Sequence, residues 1–330
     1  MSLDFRVSSR QMSDPKLLDS LNERFAIPGV LKFEAGSGGL MRAAVGGRSA
    51  EGHVYLHGAH VTHYRPAGQR PLLFLSERSR FATGKAIRGG VPVIFPWFSA
   101  RAGHPEAPDH GFARTREWAV ESVEPASDGS VAVTFALEAD DATRPTWPHD
   151  FRVRHRVVFG ERLEMTLEVE NRSGHAFDFE EALHTYVLVG DVGQVSIGGL
   201  GGVVYIDKTD DMRRKTLAAG PLRLNGTTDR VFLGTRGPCT VTDPVLARRI
   251  VVGRARARQS CGIPGTRRPA RWPIWGTSSG ARCSVSRQRT RRTTRSISRA
   301  GSDTRCVSSS EPRPPEWGVE TGFSTLLAGF

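Results

Sequence analysis

The chain has 330 residues, 38% of them apolar and 8% aromatic, with a formal net charge of +12. That share of apolar side chains is enough for a core in one large domain or two ordinary ones. No apolar run is long enough to span a bilayer and no N-terminal apolar stretch reads as a signal peptide, so a cytoplasmic protein without a membrane partner is expected.

The charge is unevenly placed. From Gly253 onward there are fifteen arginines against four acids, Asp303, Glu311, Glu316 and Glu320. Taking these from the totals of 46 basic and 34 acidic residues leaves 31 against 30 before that point. The excess therefore belongs to the tail, and the rest of the chain is near neutral. Cysteine is lopsided too: Cys239, Cys261, Cys283 and Cys306 form no C-x-x-C pair and have no matching histidines. Neither a zinc site nor a disulfide framework is expected, and no metal.

In chain order, residues 1–29 read as a peripheral extension. Ser13-Asp14-Pro15 is a helix start, and Leu17, Leu18, Leu21 and Phe25 fall on one helical face. From residue 30 the pattern turns to strands. Residues 53–56 and 71–75 read as short buried strands around the turn Pro66-Ala67-Gly68. Farther on, Val131, Val133, Phe135 and Leu137 alternate with other residues, as do Phe151, Val153, His155, Val157 and Phe159. Gly160-Glu161 makes a reversal, after which Leu163, Met165, Leu167 and Val169 alternate with charged and polar partners. Period-two repetition between turn residues predicts an all-β, antiparallel sandwich and not alternating β and α units.

Residues 83–118, TGKAIRGGVPVIFPWFSARAGHPEAPDHGFARTREW, concentrate the candidate chemistry. Gly89-Gly90 has no Cβ to obstruct a closely approaching ligand. Lys85 and Arg88 flank that turn and offer charge and forked donors to a phosphate or carboxylate. Phe95, Trp97 and Phe98 supply flat apolar walls of the kind that stack on the C–H face of a sugar.

AIRGGVPVIFPWF followed by HGFAR resembles the hexose-6-phosphate mutarotases (glucose-6-phosphate 1-epimerases) of the aldose-epimerase superfamily. WPHDF at 147–151, EALHTYVLVGDV at 181–192, GL.G..Y.DK at 198–208 and TDRVFLG at 228–234 follow in the family's order. The resemblance covers residues 30–252 and implies a large, twisted, galactose mutarotase-like β-sandwich with its site on a concave face. It also implies a cofactor-independent isomerase, monomeric, that opens and recloses the ring of a hexose 6-phosphate.

By resemblance, His184 is the general acid, His110 bonds a ring hydroxyl or the ring oxygen, and Asp207 binds sugar. Arg88, with Lys85 in support, is expected to anchor the phosphate. Arg114 is either a substrate contact or the partner of a local carboxylate. Phe95 is an expected substrate wall. For each there is a plainer reading: a hydrogen-bonded core histidine at His184, a turn histidine at His110, a turn aspartate at Asp207 and a surface ion pair at Arg88. His149 and His155 are expected to be structural.

The tail, residues 253–330, has no lysine, lacks clear periodicity over residues 254–310 and is dominated by Arg, Ser, Thr, Gly and Pro. A disordered basic arm is one reading. The resemblance implies Val-Trp-Asn-Pro-Trp here, then Cys-Val-Glu carrying the catalytic base, and neither appears. Yet the codons of Cys261-Gly262-Ile263-Pro264-Gly265, regrouped one base earlier, permit Val-Trp-Asn-Pro-Trp. In that same frame the codons of residues 282–290 permit Met-Leu-Cys-Val-Glu-Thr-Ala-Asn. The expectation is a chain out of frame from near Val252, with an incomplete sandwich and its base glutamate lost. Two alternatives stand beside the enzyme: a non-catalytic sugar-phosphate-binding sandwich, and nucleic-acid binding through the arginine tail. The second is the poorer fit, because the tail has few interleaved aromatics besides Trp272 and Trp275.

Overall fold

The computed structural model describes residues 14–235, 237–254, 258–261, 281–282, 316–321 and 323–324. The regrouped codons fall almost wholly outside these residues, as do Cys283 and Cys306. The expected N-terminal helix forms at Pro15–Phe25, with the Asp14 side chain accepting from the Lys16 N–H at 3.0 Å. Proline suits the first helical turn, where its missing N–H has no partner to lose. Leu21 is buried, and Leu17, Leu18 and Phe25 pack against the same core. Asn22 fastens the helix to the first strand: its amide donates to the Phe33 carbonyl at 2.9 Å and accepts the Phe33 N–H at 2.8 Å.

Among the described residues the fold is all-β apart from that helix and two short 3-10 turns. A four-stranded antiparallel sheet takes Leu31–Ala35, Met41–Gly46, Ala50–Tyr55 and His60–Pro66 in order. Residues 53–55 thus belong to a longer strand, Ala50–Tyr55, that stops one residue short of the expected end at Leu56. Residues 71–75 form no strand and make only isolated bridges, Leu73 with Val187 and Leu75 with Gly89. That segment buries Leu72 and Leu73 without a continuous ladder, so its apolar content alone misled.

The larger sheet contains Ala119–Pro125, Val131–Glu138, Phe151–Phe159 and Leu163–Asn171 as antiparallel neighbours. The alternation expected for Phe151–Phe159 and Leu163–Asn171 is observed, odd-numbered residues facing inward. Val131–Glu138 is buried on both faces up to Leu137. Its outward residues Thr134 and Ala136 are small and lie opposite Arg156 and Arg154, whose long stems can shield them. Nearby, Glu121, Arg152, Glu138, Arg172, Glu170 and Arg154 close a ring of alternating ion pairs on the outer face.

The described parts of the tail form strands although no periodicity was read there: Ala281–Arg282 pairs antiparallel with Asp178–Phe179, and the others pair in parallel. Glu316–Thr321 lies between Arg248–Arg254 and Leu163–Asn171, and Arg258–Cys261 runs beside Leu163–Asn171. Backbone bonding needs no side-chain period, so such pairings are not visible in sequence alternation.

The two sheets meet where Phe159 lies on Gly52 and the Tyr64 hydroxyl donates to the Gly160 carbonyl at 2.8 Å. A Cβ at Gly52 would stand 2.1 Å from the Phe159 ring. Gly52→Ala is therefore expected to destabilise the fold by about 1–3 kcal/mol, the usual range for overpacking. Urea denaturation at neutral pH measures it, and an unchanged midpoint refutes the close packing.

Candidate active site

The site is built where the two most distinctive motifs lie side by side. Val93–Ile94 pairs antiparallel with Ala182–His184, Ala182 opposite Ile94 and Leu183 opposite Val93. The ladder continues through His184 N–H to the Pro92 carbonyl at 3.1 Å and Tyr186 N–H to the Gly90 carbonyl at 2.9 Å. Successive side chains point to opposite faces. Leu183 enters the core, and His184 takes the other face.

Gly89 and Gly90 both have positive φ, 96° and 61°. A Cβ at Gly89 would stand 2.6 Å from the Phe74 carbonyl oxygen, and one at Gly90 2.3 Å from that of Val61. The close approach that needs glycine is therefore made by the chain's own strands, and the expected role beside a ligand is not what requires these residues.

Three rings stand edge-on to one another. His110 and His184 have centroids 4.9 Å apart, and Phe98 lies 5.1 Å from His110 and 5.4 Å from His184. Phe98 is half-buried, so it is the ring of its cluster left facing the histidines. The expectation for Phe95 is corrected: its ring is 0% exposed, packed among Phe112, Trp147, Phe151 and Phe179. In F-P-W-F, Phe95 and Trp97 join the core and Phe98 stands at the histidines, and composition could not tell which ring faced which way.

Burial sets the charge of the histidines. It pushes His184 down to about 3, with His110, Arg114 and Lys208 pushing the same way. It pushes His110 down to about 4, with Arg114 again the next cause. Both imidazoles are therefore neutral at pH 7 in the unliganded protein. His184 does not rest as an imidazolium, the form in which a histidine is a strong acid. Its Nε2 is enclosed and without a partner.

Arg114 donates to the Asp109 carbonyl at 2.7 Å, while its Nε is buried and unsatisfied. Burial lowers its pKa, and Tyr186 and Asp109 oppose that. Its partner is thus a carbonyl and not the local carboxylate that was one expectation. Arg88 is exposed, with its charge acting on Arg114. Lys85 is exposed as well; its carbonyl pairs with His57 Nε2 at 2.8 Å, and no bond joins its ammonium to the histidine pair.

Asp207 is corrected in favour of a turn role. One oxygen accepts from Thr209 Oγ1 at 2.6 Å and Thr209 N–H at 3.1 Å, the other from Lys215 Nζ at 2.8 Å. Lys215 first and Thr209 second hold its carboxyl at about 2. Two carboxylates bear on His110, Asp109 first and then Asp229, which lies in the TDRVFLG motif. Asp229 Oδ1 is buried and unpartnered, and Lys208 pairs with Oδ2 at 3.3 Å. The charges of both residues act on His110. Sequence reasoning passed over Lys208 and Asp229 as site residues although both lie inside quoted motifs, and from the aromatic cluster it put Phe95 ahead of Phe98. His155 is structural as expected, fully buried with Nδ1 3.1 Å from the Ala59 carbonyl.

Residues 46–259 match the family model described as Aldose 1-epimerase. An Escherichia coli (strain K12) protein named "Putative glucose-6-phosphate 1-epimerase" is 41% identical over 198 residues, 60% of this chain and 65% of that protein. One of the same name from Salmonella typhimurium is 39% identical over 197 residues, again 60% and 65%. The match thus spans less than two thirds of these relatives' length. A crystal structure titled as a "putative mutarotase" from Salmonella typhimurium superposes with a TM-score of 0.62 at 33% identity, covering 71% of this chain and 77% of that one. Motif order, all-β architecture and a family match over most of the chain agree: the chain belongs to the aldose 1-epimerase family.

Proposed function

We propose that the chain takes a hexose 6-phosphate and is built to interconvert its α and β anomers, with residues 30–252 carrying the site. The observation that carries this reading is the convergence of His110, His184 and Phe98 with Arg114 and the Lys208–Asp229 pair. An aromatic edge and neutral imidazoles suit a sugar ring, and Asp229 offers an unpartnered acceptor to a hydroxyl. Arg88, exposed and bearing electrostatically on Arg114, is the phosphate anchor, with Lys85 in support.

In the reaction a base takes the proton of the anomeric hydroxyl while an acid protonates the ring oxygen. The bond from C1 to the ring oxygen breaks as the C1 carbonyl forms, the C1–C2 bond rotates, and the reverse steps close the other anomer. His184 is the general acid of this scheme. A bound phosphate dianion offsets Arg114 and Lys208, whose fields add to burial in holding His184 neutral, and so favours its protonated form. The family's base glutamate has no match in this chain, and loss of one general acid or base lowers rate by about 10²–10⁴. That absence supports the second reading, a sugar-phosphate-binding sandwich with little or no turnover.

A coupled assay of anomer interconversion run beside a glucose 6-phosphate titration separates the two. Saturable binding weakened at least tenfold by Arg88→Ala, with slow catalysed interconversion, is the expected result. Binding without catalysis selects the second reading, and no binding by a folded protein removes both.

A further inference from the structure

The loop that carries Phe98 is fastened from outside the site. Glu180 Oε2 accepts the Phe98 N–H at 2.7 Å across 82 residues of chain. The Glu180 N–H donates to the Pro96 carbonyl at 2.8 Å, so the residue holds both ends of Pro96–Phe98. The next residue, Ser99, donates its own N–H to His110 Nδ1 at 3.0 Å and accepts the His110 N–H at 2.8 Å. Ser99 and His110 both lie in the left-handed region, at φ of 64° and 65°. Non-glycine residues are held there only where their surroundings over-determine the backbone.

A backbone N–H can only donate, so the ring atom facing it must be an acceptor. In a neutral imidazole that places the proton on the other nitrogen, Nε2. A flipped ring would present a carbon to the Ser99 N–H and forfeit the bond, so the orientation is fixed as well.

We propose that Glu180 is a positioning residue: by bonding the Phe98 backbone it holds Ser99 against His110 Nδ1, so that His110 meets the substrate as an Nε2–H donor. It sets the Phe98 wall by the same contact. A ring locked this way cannot accept a proton at Nε2. It can donate a hydrogen bond to a sugar oxygen, and proton transfer falls to His184. The donor role rests on the sugar-phosphate reading above; the lock itself does not.

The test is a long-range proton–nitrogen-15 correlation spectrum of the full chain, which distinguishes the two imidazole tautomers, taken with and without glucose 6-phosphate. His110 is expected to show the Nε2–H pattern, unchanged from pH 8 to pH 5.5. Glu180→Ala is expected to mix the tautomers and weaken glucose 6-phosphate binding about tenfold, the effect of losing about 1.4 kcal/mol. Glu180→Gln keeps a carbonyl acceptor and restores both signals. Should the alanine variant not fold, Glu180→Asp, whose carboxylate is one methylene shorter, serves in its place. An Nδ1–H pattern in the wild type, or an unshifted tautomer in a folded Glu180→Ala or Glu180→Asp protein, overturns the proposal. The lock present but no glucose 6-phosphate bound by the wild type upholds the clamp and removes the sugar-phosphate reading instead.

Discussion

Lowering the pH from 7 to 4.5 is expected to unfold this protein, and histidines rather than carboxylates drive it. His60, His155 and His184 are 0%, 0% and 3% exposed, and burial pushes them down to about 3, 4 and 3. In the unfolded chain each titrates near its ordinary value of about 6.5. The folded state therefore binds fewer protons below that pH. The stability these residues contribute is complete above about 6.5 and drains away toward their folded values. At pH 4.5 each takes away about 2–3 kcal/mol, because every tenfold difference in proton affinity is worth about 1.4 kcal/mol. Glu181 works the other way. Its Oε2 is enclosed without a partner, and burial raises its carboxyl to about 8, so folding takes up a proton there. Between pH 7 and 4.5 it offsets roughly one histidine. Asp207, held at about 2, contributes nothing in this window. The remaining loss is about 3–6 kcal/mol, comparable with the whole stability of an ordinary domain. Urea melts at pH 7.5, 6 and 5 should show stability falling fastest between pH 6 and 5, where these four groups give a net uptake of about two protons on unfolding by linkage. His155→Gln should lower that uptake by one, and Glu181→Gln should remove the decline on the alkaline side. A stability flat from pH 7 to 4.5 contradicts the burial of these side chains.

Much of the site was legible because the informative residues sit in strands that pair. RGGVPVIF and EALHTY are each distinctive alone, and Ala182 opposite Ile94 brings His184 to the segment that also carries Phe98. The errors share a cause. Local sequence gives the presence of a group and not the direction it faces. F-P-W-F contains two rings for the core, Phe95 and Trp97, and one for the site, Phe98. In Ile-Asp-Lys, Asp207 is consumed by Lys215 and Thr209 while its neighbour Lys208 turns to Asp229. Gly89-Gly90 correctly signals a close approach, but the approaching atoms are the Phe74 and Val61 carbonyls. Glu180 could not be found from sequence, since its significance lies in one bond to a backbone N–H 82 residues away.

Replacing residues 253–330 by the regrouped reading is expected to raise anomer interconversion by about 10²–10⁴, the range for supplying one missing general acid or base. The gain depends on His184 already standing where proton transfer needs it, so the two groups should be strongly non-additive. On the proposed reading of His184 as the acid, His184→Asn in the chain as it is should change little, because the acid lacks its partner base. In the restored chain the same substitution should remove most of the gain, while glucose 6-phosphate binding through Arg88 and Arg114 persists in both. Single-turnover rates beside binding titrations on the four proteins measure this. A restored chain that is folded and no faster refutes the reading in which a lost glutamate limits the rate. Equal losses from His184→Asn in both backgrounds show instead that the present chain already possesses its base. Stop codons in the regrouped frame of the coding DNA remove the premise altogether, and the arginine tail then stands as the sequence the protein was meant to have.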